Sequence, residues 1–297
     1  MKQHTKPENI FHHFISRLSK KKPTSEPARH ARRAQQNANR RFSLSNTIMF
    51  ISIVFLFLPL FVIVIYSFNE AKGMRWEGFS IRWYIKLFME SDKLWSSFGN
   101  SVIIAFASAG VSTVLGTMAA IGVNWYRFKG RTYIQTISFL PMILPEVIIG
   151  ISMLIFFSAV NIPLGMMTIL IAHTTFCLPF VFLMVLARLD EFDFSIIEAA
   201  HDLGASERQT LFKVIIPAIM PGILSAFMMS VTMSLEDFVI TFFVSGPGST
   251  TLPLYVFSMV RYGISPVINA LSFLMILGTM GIAFLLRNFL KNIAASK

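Results

Sequence analysis

Residues 48–68 form a run of 21 side chains without one charge. As an α-helix at 1.5 Å per residue this run is about 31 Å long, the thickness of a bilayer's hydrocarbon core. Buried in lipid, every backbone N–H and C=O must find a partner within the protein, which a helix of this length does by itself. Five further stretches repeat the pattern between polar or Gly/Pro-rich segments, at 100–123, 134–159, 164–187, 217–244 and 266–286. The expected fold is therefore all-α, a polytopic transmembrane helical bundle with six spans. The close approach of the third and fourth spans around Asn161 and Pro163 leaves a re-entrant segment open as an alternative. Composition agrees, since 54% of residues are hydrophobic and the mean hydropathy is +0.63, above what a soluble domain carries. The single cysteine, Cys177, excludes an intrachain disulfide scaffold.

The net charge of +11 is unevenly placed. Twenty of the 26 Lys and Arg fall in residues 1–47, the 124–133 and 188–216 loops, and the C-terminus. Lys72, Arg75, Arg82, Lys86, Lys93 and Arg261 make up the other side. Basic residues are retained in the cytoplasm, so both termini of this multi-pass chain are expected there. Trp76, Trp83 and Trp95 outside, and Trp125 and Tyr126 inside, are spaced as interfacial anchors. Residues 1–47 read as a basic cytoplasmic tail facing lipid headgroups, with no nucleic-acid partner expected. Residues 288–297 read as a short cytoplasmic C-terminal tail.

The loop at 190–216 has the punctuation of two short helices. Ser195 with Glu198, and Ser206 with Gln209, have capping-box spacing, and Gly204 stands where a left-handed residue ends the first helix. Ile196, Ile197, Ala200 and Leu203 give that helix an apolar face outside the membrane. The face must be covered, either by the chain's own bundle or by a partner protein. Glu198-Ala199-Ala200, Gly204, Val214, Ile216 and Pro217 resemble the EAA signature of ABC-transporter inner-membrane permeases. The resemblance implies that the helix pair is the coupling element, docking into a groove of a cytoplasmic ATP-binding subunit. It also implies the type I importer permease fold over 48–287, a second homologous permease subunit and a periplasmic substrate-binding protein. The stretches LPMILPEVIIGISML, HTTFCLPFVFLMVLARL and SLEDFVITFFVSGPGSTTLPLYVFSMVRYGISPVINA are similar to permeases of polyamine (spermidine/putrescine) uptake systems. The substrate this similarity implies is a polyamine, although opine, iron and amino-acid systems share the loop signature.

Three acidic residues, Glu146, Glu236 and Asp237, lie within spans that contain no Lys or Arg. Each costs about 2.5–3.5 kcal/mol near mid-bilayer, so such groups face a bundle interior or a wet cavity, and uncompensated negative charge favours a cationic solute. Ser230, Ser234, Asp237 and Thr241 fall on one helical stripe, which aims Asp237 and Ser234 into a substrate pathway, with Glu236 about 100° away. The bland alternative bonds these carboxylates to Ser, Thr and backbone groups in packing or a gate. Glu146 follows Pro145 and Pro141, where a kink serves mechanics as readily as binding. Ser108, Ser112, Gly116 and Ala120 read as a close-packing face. His173 and Cys177 are too few to complete a metal site, and Gly246-Pro247-Gly248 lacks the Lys-Ser/Thr ending of a phosphate loop. No catalytic residue, metal or cofactor is expected in this chain, and ATP is expected to be hydrolysed by a partner. The rival from another class is an ion-coupled carrier or channel for a small cation, with Glu146 and Asp237 as its binding groups.

Overall fold

The computed structural model describes residues 25–73, 75–126, 128–193, 195–261 and 266–295. The chain divides into two units, Met1–Ile65 and Tyr66–Lys297. The described residues of the first belong to one long helix, α1 (Ser25–Tyr66), of 42 residues and about 63 Å. Its apolar part is Leu44–Ser67. The expected boundary at residue 48 is thus not a structural one. From Ser25 the basic segment is already helical, because 25–47 contains no Gly, and its one proline, Pro27, lies in the first turn, where no helical hydrogen bond is lost. Residues 1–24 lie outside the described residues.

In the second unit, α2 (Arg82–Met89) leads into α3 (Asp92–Trp125). The short helices α4 (Arg131–Ser138) and α5 (Leu140–Ile143) precede α6 (Glu146–Ala159), and α7 (Met166–Asp190) follows. The loop helices are α8 (Ser195–Asp202) and α9 (Glu207–Thr210). A wide turn (Leu211–Ile215) then carries the chain into α10 (Ile216–Glu236), α11 (Val239–Val244), α12 (Leu252–Arg261) and α13 (Pro266–Ala295). Among the described residues there is no strand, only one isolated bridge between Asn69 and Phe79.

Four helices are long and apolar enough to cross a membrane, or five if the bent pair 131–143 and 146–159 is one span. The six expected spans are therefore not reached among the described residues, since the described apolar part of the last helix is only Pro266–Gly281. The third expected span, 134–159, is broken by a 105° bend. Pro145 forces its predecessor out of the helical region, and Leu144 is extended at φ −72°, ψ 137°. The fifth, 217–244, breaks at Asp237, extended at φ −63°, ψ 125°. The last helix runs through 287 to Ala295, so the expected short tail continues it.

The core is built where α3, α7 and α10 pack together. Ser108, Ser112, Gly116 and Ala120 of α3 are all buried, and a Cβ on Gly116 would stand 2.7 Å from Val181 Cγ1 on α7. The small-residue face expected from the sequence is therefore what lets these backbones approach. A second cluster joins Trp83 and Leu87 of α2 to Leu252 and to Val267, Ala270 and Leu271 of α13. Trp83 is 2% exposed and its Nε1–H donates to Asn69 O at 2.7 Å, so it is a core residue and not the lipid-facing anchor expected. Trp76 and Trp95 are both exposed, and Trp95 stacks on Phe88.

The wide turn ahead of α10 has a local cause. Pro217 has no N–H for the carbonyl of Lys213, and its ring would collide with that carbonyl in a regular helix. An i→i+5 turn, closed by Ile216 N–H donating to Leu211 O, opens the backbone enough to accommodate it.

Candidate functional site

Two places carry the chemistry. The first is the α8–α9 pair. Helix α8 begins at Ser195, and the side-chain acceptor at its start is Asp193 Oδ1, which takes the Ser195 N–H at 2.9 Å. That replaces the expected Ser195–Glu198 capping box, because Ser195 is already the first helical residue. Hydrogen bonds from the Ser195 backbone and side chain hold the Asp193 carboxyl below its ordinary range. At the other end Gly204 has φ +81°, its N–H donates to His201 O at 2.8 Å, and Ala205 N–H donates to Ala200 O at 3.0 Å. This is a Schellman ending, and it needs the left-handed residue that glycine supplies. The second capping box forms as expected, with Ser206 N–H donating to Gln209 Oε1 at 2.9 Å and Gln209 N–H to Ser206 Oγ at 3.4 Å.

The apolar face of α8 is divided. Ile197 packs on the cluster formed by the ends of α3, α7 and α10, while Ile196 and Leu203 face outward, Leu203 at 90% exposure. Glu198 and Ala199 are exposed and Ala200 half-buried. Glu198 also borders a cavity of about 480 Å³ with Asn124, Trp125, Arg131, Asp190 and Phe192. The chain's own bundle thus covers one edge of the face and leaves the other open.

The second place lies at the two helix breaks. Glu146, the first residue of α6 after the Pro145 bend, meets Glu236, the last residue of α10, and Asp237 in the α10–α11 break. These carboxylates line one cavity of about 360 Å³ with Phe176, Met233, Phe238 and Val239. Glu146 lies within electrostatic reach of both other acids. Glu146 and Glu236 are exposed, and neither accepts a hydrogen bond or pairs with a cation among the described residues.

Asp237 differs, being buried. Its Oδ1 accepts the Ile240 N–H at 3.2 Å, and its Oδ2 accepts the Thr241 N–H at 2.9 Å and the Thr241 hydroxyl at 2.8 Å. Phe238 is the N-cap residue of α11, and the Asp237 side chain just before it caps the N–H groups of its first turn, which explains the break without proline or glycine: that side chain offers the backbone an alternative to the continuing helix. His173 Nε2 on α7 lies 3.1 Å from Asp237 Oδ2 and 2.9 Å from Thr241 Oγ1, and His173 Nδ1 lies 2.7 Å from Ser234 Oγ. Ser108 Oγ donates to Ser234 Oγ at 3.2 Å. The whole chain of bonds is satisfied by a neutral imidazole with its proton on Nε2, accepting from Ser234 at Nδ1.

The structure therefore brings Glu146, Glu236 and Asp237 together, and turns Ser234 away from the cavity toward His173. The stripe of Ser234, Asp237 and Thr241 does share one direction, but that direction is the α7 interface. His173 was missed as a partner of this stripe because its own helix carries no sign of what faces it. Cys177 donates to Ser230 O at 3.7 Å and does not share a ligand with His173, and no group of three or more metal-ligating side chains occurs among the described residues. Gly246 is a packing glycine, with no room for a Cβ against the Leu164 carbonyl, and its N–H donates to Ser249 Oγ at 2.8 Å.

Comparison with known proteins adds the lineage. Residues 112–296 match the family described as binding-protein-dependent transport system inner membrane component. The spermidine/putrescine transport system permease protein PotC of Haemophilus influenzae is 40% identical over 246 residues, 82% of this chain and 95% of that protein. The putrescine transport system permease protein PotI of Escherichia coli strain K12 is 44% identical over 243 residues, 79% of this chain and 86% of that one. In structure, a chain of a bacterial ABC transporter that imports the acidic polysaccharide alginate superposes with a TM-score of 0.69 at 17% identity, covering 87% of this chain and 98% of that one, a likeness of fold alone. A helical body with an exposed two-helix handle, matched over this much of its length, belongs to the binding-protein-dependent transport system inner membrane components, the permeases of ABC importers.

Proposed function

We propose that this chain is a permease subunit of an ATP-driven, binding-protein-dependent polyamine importer, set in a bacterial inner membrane with both termini cytoplasmic. It pairs with a second permease, receives substrate from a periplasmic binding protein, and takes work from cytoplasmic ATP-binding subunits. In this reading ATP is hydrolysed by those partner subunits, and this chain contributes neither an ATPase site nor a cofactor. The observation that carries the substrate assignment is the 40% identity to a spermidine/putrescine permease across 95% of that protein's length. The cavity supports it independently. Glu146, Glu236 and Asp237 gather there, and their mutual repulsion is relieved by a solute bearing several ammonium groups.

The helix order suggests how work reaches that cavity. From Glu207 to Glu236 the chain is continuously helical for 30 residues, about 45 Å, with the handle at one end and the carboxylates at the other. A displacement of α8 and α9 by the ATPases would be carried along this rod to Glu236 and Asp237, opening the cavity to one side and then the other. Such a rod transmits force because Gly222 lies against Arg188 of α7, where a Cβ would stand 2.8 Å from Arg188 Cγ, leaving α10 little room to slip sideways.

Reconstituted vesicles holding this chain with its permease partner, ATP-binding subunits and binding protein test the reading. Radiolabelled putrescine or spermidine should accumulate only with ATP inside, and this chain alone should be inert. Uptake without the ATP-binding subunits that collapses with a protonophore would instead make the chain an ion-coupled carrier.

A further inference from the structure

The three carboxylates of the cavity are not equivalent. Asp237 is spent on the protein: its side chain is 2% exposed, its Oδ2 lies within hydrogen-bond distance of three donors, Thr241 N–H, the Thr241 hydroxyl and His173 Nε2, and its Oδ1 accepts a fourth from Ile240. A carboxylate has about four acceptor sites, so little is left for an incoming ammonium. Glu146 and Glu236 are exposed to the same cavity and accept nothing among the described residues. His173 is 1% exposed and ties α7 to the break by hydrogen bonds, at one nitrogen to Ser234 at the end of α10 and at the other to Asp237 and Thr241 around α11.

We infer that His173 is a positioning residue, a buried latch that holds the Asp237 side chain as a cap of α11, so that Glu146 and Glu236 alone are left open to take the ammonium groups of the solute. The inference rests on the reading of this cavity as the polyamine site and assigns the roles within it. The His173 ring ties the α10–α11 break to α7. Asp237 thereby shapes the cavity wall and adds a fixed negative field, while the two open glutamates read the charge of what enters. Removing the latch frees Asp237 and α11 and blunts transport of every amine alike. Neutralising an open glutamate changes which amine is preferred, because a trication depends on each carboxylate more than a dication does.

The experiment compares uptake of putrescine and spermidine by the assembled transporter in vesicles for His173→Ala, His173→Gln, Asp237→Asn, Glu146→Gln and Glu236→Gln, normalised to the amount of complex in the membrane. His173→Ala should lower uptake of both amines about tenfold, with the spermidine-to-putrescine ratio unchanged. His173→Gln keeps a donor for Asp237 and should recover most of that loss, which a merely space-filling histidine would not require. The double variant His173→Ala with Asp237→Asn should be no worse than the poorer single one, since both break one device. Glu146→Gln and Glu236→Gln should shift the ratio against spermidine about threefold or more. If neither glutamate variant alters rate or ratio, the cavity is not the amine site and that reading falls together with this one. If the glutamates shift the ratio but Asp237→Asn shifts it as far, or His173→Gln is no better than His173→Ala, the latch is wrong and the cavity reading stands. Should His173→Ala fail to assemble, Gln against wild type and Asp237→Asn decide the matter.

Discussion

Gly204 is the residue whose conformation the handle can least do without. Nothing lies within 4 Å of a Cβ added there, so space is not the constraint, but φ +81° is. A branched or bulky side chain in that region costs about 1–2 kcal/mol, whereas asparagine tolerates it. Gly204→Val should therefore loosen the α8–α9 corner and uncouple ATP hydrolysis from uptake, leaving membrane insertion intact, and Gly204→Asn should retain most transport. Uptake per ATP hydrolysed in vesicles checks this, and equal coupling by both variants would remove the left-handed corner from the mechanism. The glycine was legible in the sequence because it sits between two capping patterns, each a local signal within four residues. His173 was not. Its partners Ser234, Asp237 and Thr241 lie 61, 64 and 68 residues away, and although their stripe marks one face of the chain there, nothing on α7 marks His173 as what opposes it.

Among the elements, the stiff link from handle to cavity depends on the wide turn at Leu211–Ile215. Pro217→Ala restores an N–H and removes the ring, so the turn can tighten to an ordinary helix. One residue fewer in that turn rotates the handle about 100° against α10. Uptake should then fall several-fold with helical content preserved by circular dichroism, and unchanged uptake would mean the wide turn has no part in coupling. The breaks differ in legibility for a physical reason. Pro145 announces the 105° bend, although a run of apolar residues across it reads as one span. Asp237 breaks its helix through a side-chain competition that depends on the neighbours it finds, so the sequence there scans as continuous. Both breaks fall on intramembrane acids, which is where freed backbone and charge can satisfy one another.

For the molecule as a whole, the helical class and the family were legible, the first from uncharged runs and the second from the Glu198–Pro217 pattern. The span count was not, since bends turn one apolar run into two helices and hydropathy does not register direction. An outward-facing handle and an acidic cavity terminate the same 30-residue helical stretch. In the proposed function something outside the chain pushes on the handle. Its outermost apolar side chain is Leu203, and a photo-crosslinking residue placed there in native membranes measures the contact directly. The account predicts covalent capture of a nucleotide-hydrolysing subunit, with a yield that changes between ATP-bound and nucleotide-free conditions. Capture of lipid or of this chain alone under both conditions would contradict it.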